Sequence, residues 1–128
     1  MSEEPTWLPR LSVELLHRDQ LVEHGGLTGL RYDNLLESAL ERPRMLWHYE
    51  HITDLAVLAA ALGYGLARRH AFADGNKRIA FIAMGVFLDL NGHQLDPAEP
   101  DVIETMRAVA AGDWSEADLA AWIERHLD

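Results

Sequence analysis

The stretch from His70 to Asn91, H-A-F-A-D-G-N-K-R-I-A-F-I-A-M-G-V-F-L-D-L-N, constrains the fold more than any other part of the chain. From Ile79 to Leu88 it has no charged or strongly polar side chain. Such a run makes about three helical turns and is too short for the ~20 residues of a membrane span, so it predicts a helix buried in the middle of a protein. The nine residues before it bring an imidazole, a carboxylate, a carboxamide, a glycine, an ammonium and a guanidinium to the N-terminus of that helix. Unpaired N–H groups and the positive end of the helix dipole lie there, so Asn76, Lys77 and Arg78 mark a candidate anion site.

A chain of 128 residues, 48% hydrophobic and 25% charged, supplies one core, and a single domain over 1–128 is expected. The absence of cysteine excludes a disulfide scaffold and thiol chemistry and fits a reducing compartment. Met1 to Trp7 shows no basic region followed by an apolar stretch, so a cytoplasmic location is expected. A formal net charge of -10 argues against direct binding of nucleic acid or of an anionic membrane, which need a compensating basic surface. Basic residues are instead concentrated locally: six of the 11 Lys and Arg (Arg42, Arg44, Arg68, Arg69, Lys77 and Arg78) fall in under a third of the chain. That distribution suits a compact acidic ligand such as a nucleotide better than a long polyanion.

No repeat or low-complexity tract interrupts the chain, and no convincing alternating strand is present, so the pattern predicts an all-α bundle. A helix is expected over Ser12–His24, with Val13, Leu15, Leu16, Leu21 and Val22 as its apolar positions and Gly25-Gly26 as its stop. G-G-L-T-G-L-R reads as a loop. Asp33 is expected to cap a short helix through Leu40 that ends before Pro43. The aromatic segment between Pro43 and Ile52 leaves room for a small hairpin around Trp47. Leu55, Leu58, Ala59, Leu62, Leu66 and Ala67 predict a helix capped by Thr53 or Asp54, with Arg68 and Arg69 in its last turn, where cations favour the carbonyl end and either could reach a ligand held in the loop. Asp96-Pro97 reads as the start of a helix burying Val102, Ile103, Met106, Val109 and Ala110, closed by Gly112. Ser115-Glu-Ala-Asp118 resembles a capping box before a stripe of Leu119, Trp122, Ile123 and Leu127.

The phosphate-loop pattern GxxxxGK[ST], a strand followed by GxGxxG, and HExxH are all absent, and scattered histidines without cysteine make a structural zinc site improbable. His17, His24, His93 and His126 are read as solvent-exposed or locally hydrogen-bonded. His70 stands apart because a carboxylate follows four residues later and a carboxamide six later, leading into a helix start.

His70-Ala-Phe-Ala-Asp-Gly-Asn-Lys-Arg78 resembles the signature of the Fic/Doc (Fido) superfamily, and specifically HxFx[DN]xNKR of the Doc, or death-on-curing, branch, with all six defined positions satisfied. G-G-L-T-G, L-L-E-S-A-L, Y-E-H-I-T-D-L and F-L-D-L-N-G flank it as in Doc-like chains, so the similarity runs from about Leu16 to the C-terminus. It implies a compact Fido-type helical bundle around a central buried helix, with a hairpin flap near Trp47 that would dock the target. Ile79 departs from the threonine common in Doc-like chains, and Gly75 is shared with the Fic form.

Fic enzymes resemble HxFx[DE]GNGRxxR and transfer AMP from ATP to a protein hydroxyl. Here Lys77 replaces the second glycine and Phe81 the second arginine. A lysine fills the space where a backbone could approach a phosphate closely, and losing the arginine removes a phosphate ligand. The resemblance to Doc therefore implies a toxin of a toxin-antitoxin system, a kinase that passes the γ-phosphate of ATP to a threonine of elongation factor Tu and stops translation. By motif position His70 would be the general base, Asp74 the Mg²⁺ ligand and Gly75 the turn into the helix, while Asn76, Lys77 and Arg78 would bind phosphate, the last two also stabilising transferring charge. Phe72 would anchor the loop in the core. A Phd-like antitoxin acting in trans is implied, since no [ST]xxxE[GN] inhibitory string occurs in the chain. The alternatives are an AMP transferase and a catalytically silent Fido module.

Overall fold

The structure, a computed structural model, describes residues 3–128. Six helices follow in order: α1 (Arg10–His24), α2 (Asp33–Glu50), α3 (Leu55–Arg69), α4 (Asn76–Leu90), α5 (Glu99–Ala111) and α6 (Glu116–His126). The only β-type pairings among the described residues are two isolated bridges, Leu30 with Phe72 and Leu95 with Leu127. The all-α expectation therefore holds.

The helix enclosed on every side is α3 rather than the apolar rod α4. Asp54 caps α3 by accepting the Ala56 N–H at 2.9 Å, and the helix packs on α2, α4, α5 and α6. Its small residues set the spacing: a Cβ on Gly63 would lie 2.2 Å from the Met84 sulfur of α4, and one on Gly65 would lie 3.1 Å from the Ala39 side chain of α2. Close backbone approach brings α2 and α4 against α3 and closes the core with little void. Helix α4 buries Ile79, Ala80, Ala83, Met84, Phe87 and Leu88, whereas Phe81, Ile82 and Val86 stay partly open.

Helix α2 departs furthest from expectation, because it runs through Pro43 to Glu50 and leaves no hairpin around Trp47. An interior proline costs roughly 3 kcal/mol. Leu36, Leu40, Pro43 and Leu46 nevertheless share one face, all buried against the core, and Trp47 packs beside them. Burying a large apolar side chain stabilises by roughly 1.5–3 kcal/mol, so Leu46 and the partly buried Trp47, which lie beyond the proline, together offset the break. The helix stops at His51, whose left-handed backbone (φ 56°) turns the Ile52 N–H onto the Leu46 carbonyl at 3.0 Å.

Asp33 is the first helical residue and not the cap, which is Tyr32; its carboxylate is held by Arg10 of α1, which also binds Glu37. The Arg10 guanidinium keeps the Asp33 carboxyl below its ordinary range. Helix α1 uses one narrow stripe, Val13, His17 and Leu21, while Leu15 and Val22 face solvent, Val22 at 82% exposure. The start of α5 is Ala98 with Pro100 in the first turn, not Asp96-Pro97. Asp96 N–H is instead committed to the His126 carbonyl, and Asp128 N–H to Gln94, an extended pairing that a helix over the same residues would break. Ile103 is exposed, and Thr105 and Ala108 take places in the core. Gly112 closes α5, and the Ser115–Asp118 capping box opens α6, as expected.

Candidate active site

The motif loop joins the end of α3 to the start of α4 and is held from three sides. On one, Gly29–Tyr32 straps it: the Ala71 carbonyl accepts from Arg31 and Tyr32 N–H at 2.8 and 3.0 Å, and Ala73 N–H donates to Gly29. From within, the Asn76 side chain clasps Phe72, its Oδ1 accepting the Phe72 N–H at 3.1 Å and its Nδ2 donating to the Phe72 carbonyl at 3.0 Å. Phe72 itself is buried at 3% exposure, an anchor in the core. The third contact comes from α1. His17 is buried at 4% exposure, lies flat on the Phe72 ring with centroids 3.8 Å apart, and places Nε2 2.7 Å from the Asp74 carbonyl.

His17 is therefore neither solvent-exposed nor locally hydrogen-bonded, as the sequence suggested, but buried and bonded to a residue 57 positions away. Its signal was available: Val13, His17 and Leu21 fall at i, i+4 and i+8, one stripe of a helix.

His70 caps α3 in the left-handed conformation (φ 52°, ψ 48°) with an exposed side chain. Asp74 is exposed; its Oδ1 accepts the Gly75 N–H at 2.9 Å, and its Oδ2 faces the Leu27 N–H at 3.4 Å. Gly75 takes φ 74° and starts α4 without a side-chain cap. The first intrahelical bond runs from Ile79 N–H to the Gly75 carbonyl at 3.0 Å, so the N–H groups of Asn76, Lys77 and Arg78 precede the ladder and have no main-chain partner. The Asn76 carboxamide is spent on Phe72, so what this residue offers an anion is its backbone amide.

Lys77 and Arg78 are exposed and, among the described residues, make no ion pair. Both line a groove of about 480 Å³ whose apolar wall includes Phe81, Ile82, Val102 and Met106. His70 does not line that groove; it stands at the other end of the loop. The two arginines of α3 turn elsewhere: Arg68 donates to the Ala110 carbonyl at 3.0 Å and covers Gly112, and Arg69 donates to Ser38.

No group of three His, Asp or Glu side chains among the described residues is arranged to hold a metal. Asp74 fits a narrower task. Its carboxylate keeps free lone pairs at the surface, and Mg²⁺ is commonly held by one or two carboxylates together with water and phosphate oxygens. No helix is long and apolar enough to cross a membrane.

One strapped loop thus carries a helix N-terminus with free amides, two cations without ion pairs, a surface carboxylate and an exposed imidazole. The family model described as the Fic/DOC family matches residues 7–88, and the chain belongs to that family, whose members are transferases acting on proteins. Among curated relatives, the chain is 38% identical over 104 residues to "Toxin Doc" of Mycolicibacterium smegmatis (strain ATCC 700084 / mc(2)155), covering 78% of this chain and 79% of that protein. This places it on the Doc branch.

Proposed function

We propose that this chain is a Doc-type toxin that transfers the γ-phosphate of ATP to a hydroxyl of a protein target, with a threonine of elongation factor Tu as the first candidate. The observation that carries the reading is the open first turn of α4, where the N–H groups of Asn76, Lys77 and Arg78 have no main-chain partner and follow the exposed Asp74 in the chain. Phosphoryl transfer gains most of its rate from positioned groups that neutralise charge on the transferring phosphate. His70 accepts the proton of the target hydroxyl as its oxygen bonds to the γ-phosphorus, and the bond from that phosphorus to the β–γ bridging oxygen breaks, releasing ADP. Asp74 would hold Mg²⁺, which supplies neutralisation of the phosphate oxygens when bound. Phe81, half-buried on the groove wall, stands where the AMP-transferring relatives carry a second arginine, which favours phosphoryl over AMP transfer.

The same groove suits an antitoxin acting in trans. An amphipathic segment laid on Phe81, Ile82, Val102 and Met106 would cover Lys77 and Arg78, and a basic tail would complement the chain's net charge of -10. We place the protein in the cytoplasm, where ATP and such a target are found.

Incubation with elongation factor Tu and ATP labelled at the γ-phosphate should label the factor. Transfer only from α-labelled ATP would assign AMP transfer instead. Growth arrest that persists in His70→Ala would assign a non-catalytic binding module.

A further inference from the structure

We infer that His17 is a positioning residue for the transfer reaction, acting through the Asp74–Gly75 peptide to aim the Asp74 carboxylate. The inference rests on the phosphoryl-transfer reading for its activity and metal arms, and the spectra stand apart from it. The Asp74 carbonyl can only accept a hydrogen bond, so the His17 Nε2, 2.7 Å away, carries the proton. No peptide bond in the described chain is cis, and in a trans peptide the C=O and N–H point in opposite directions. Drawing the Asp74 carbonyl inward to α1 therefore turns the Gly75 N–H away from α1, where it donates to Asp74 Oδ1 at 2.9 Å. One peptide plane thus joins a buried imidazole to a surface carboxylate.

Two further contacts keep His17 in register. Its ring stacks on Phe72, whose own N–H and C=O are both taken by Asn76. A Cβ at Gly75 would lie 3.4 Å from His17 Nε2 and 3.5 Å from a Leu21 methyl, so the imidazole occupies the space inside the turn. Rotation of the Asp74–Gly75 plane would cost the Nε2 bond and the Gly75–Asp74 bond together. Neither Phe72 nor Asn76 restrains that plane directly.

The test compares His17→Phe, which keeps the stack and loses the donor, with His17→Asn, whose amide is too short to reach, and His17→Gln, whose amide nitrogen can take the Nε2 position. In the full-length chain, ¹⁵N spectra should show a slowly exchanging proton on His17 Nε2 and a Gly75 amide resonance that moves in the Phe and Asn variants and returns in Gln. Titration with Mg²⁺ and a non-hydrolysable ATP analogue should need severalfold more metal in Phe and Asn than in wild type or Gln. Turnover should fall roughly ten- to a hundredfold in Phe and Asn, with KM for the protein target unchanged. An unprotonated Nε2, or a Gly75 resonance and metal dependence that Phe and Asn leave unmoved, overturns the inference. Wild-type protein that transfers nothing overturns the phosphoryl-transfer reading, and the spectra then decide the positioning role alone. Should His17→Phe not fold, the Asn and Gln pair gives the same contrast.

Discussion

His51 and His70 are the two non-glycine residues with positive φ among the described residues, and both end a helix. Their backbones are nearly the same, φ 56° and ψ 33° against φ 52° and ψ 48°. A left-handed L-residue costs roughly 1–2 kcal/mol, and the two sites offset that cost differently. At His51 the offset is local: the chain turns back so that Ile52 bonds the Leu46 carbonyl, a helix stop that a glycine would make as well. At His70 it is remote, drawn from the Gly29–Tyr32 strap and the Asn76 clasp on the residues that follow. One conformation thus ends a helix and leaves an exposed imidazole in both places, held by a local bond in one and by ties along the motif loop in the other. Strain kept where no local bond needs it fits the role proposed for His70.

Four predictions bear on that contrast. The largest effect is expected from His70→Ala, which should lower transfer by roughly 10²–10⁴-fold, while His51→Ala leaves the rate of label transfer unchanged. Equal losses in the two variants would erase the distinction. Next, Asn76→Leu removes the clasp and leaves the Phe72 N–H and C=O without partners, which should cost roughly 2–4 kcal/mol in urea unfolding, since each buried orphan costs roughly 1–3 kcal/mol. Transfer should fall with it, because the loop loses its internal brace.

Smaller is the response to glycine. His51→Gly and His70→Gly both relieve the left-handed strain at some entropic cost, and each should gain about 1 kcal/mol or less in thermal unfolding. Only the second should abolish transfer, so stability and activity separate at one position and not at the other. The smallest effect lies away from the loop. Asp33, with its carboxyl held low by Arg10, contributes stability that is present above its ordinary value of 3.8 and lost as pH falls through its lowered folded-state value. Thermal midpoints of wild type and Asp33→Asn should differ slightly at neutral pH and converge in acid, with transfer at neutral pH the same in both.

The order of residues along one or two turns was enough to read several features. The Ser115–Asp118 capping box, the Asp54 cap, the Gly112 stop and the loop between α3 and α4 all depend on groups within a few residues of one another. Pro43 shows the limit of such reading. Its intrinsic preference is to stop a helix, but the faces of α2 and α3 meet there, and burial carries the helix to Glu50. Asp96 shows another, because the C-terminal residues that hold it extended are far along the chain.

From its residue order alone the chain determined an all-helical body, the place of a polar loop before an apolar helix, and the chemical groups on that loop. Tertiary structure decided which groups stay free for a ligand. Asn76 turns inward to Phe72, Lys77 and Arg78 open onto a groove, and His17 reaches the loop from 57 residues away. The physical reason is that capping and periodicity act over one turn, whereas the partner of a buried polar atom is set by which helices pack side by side.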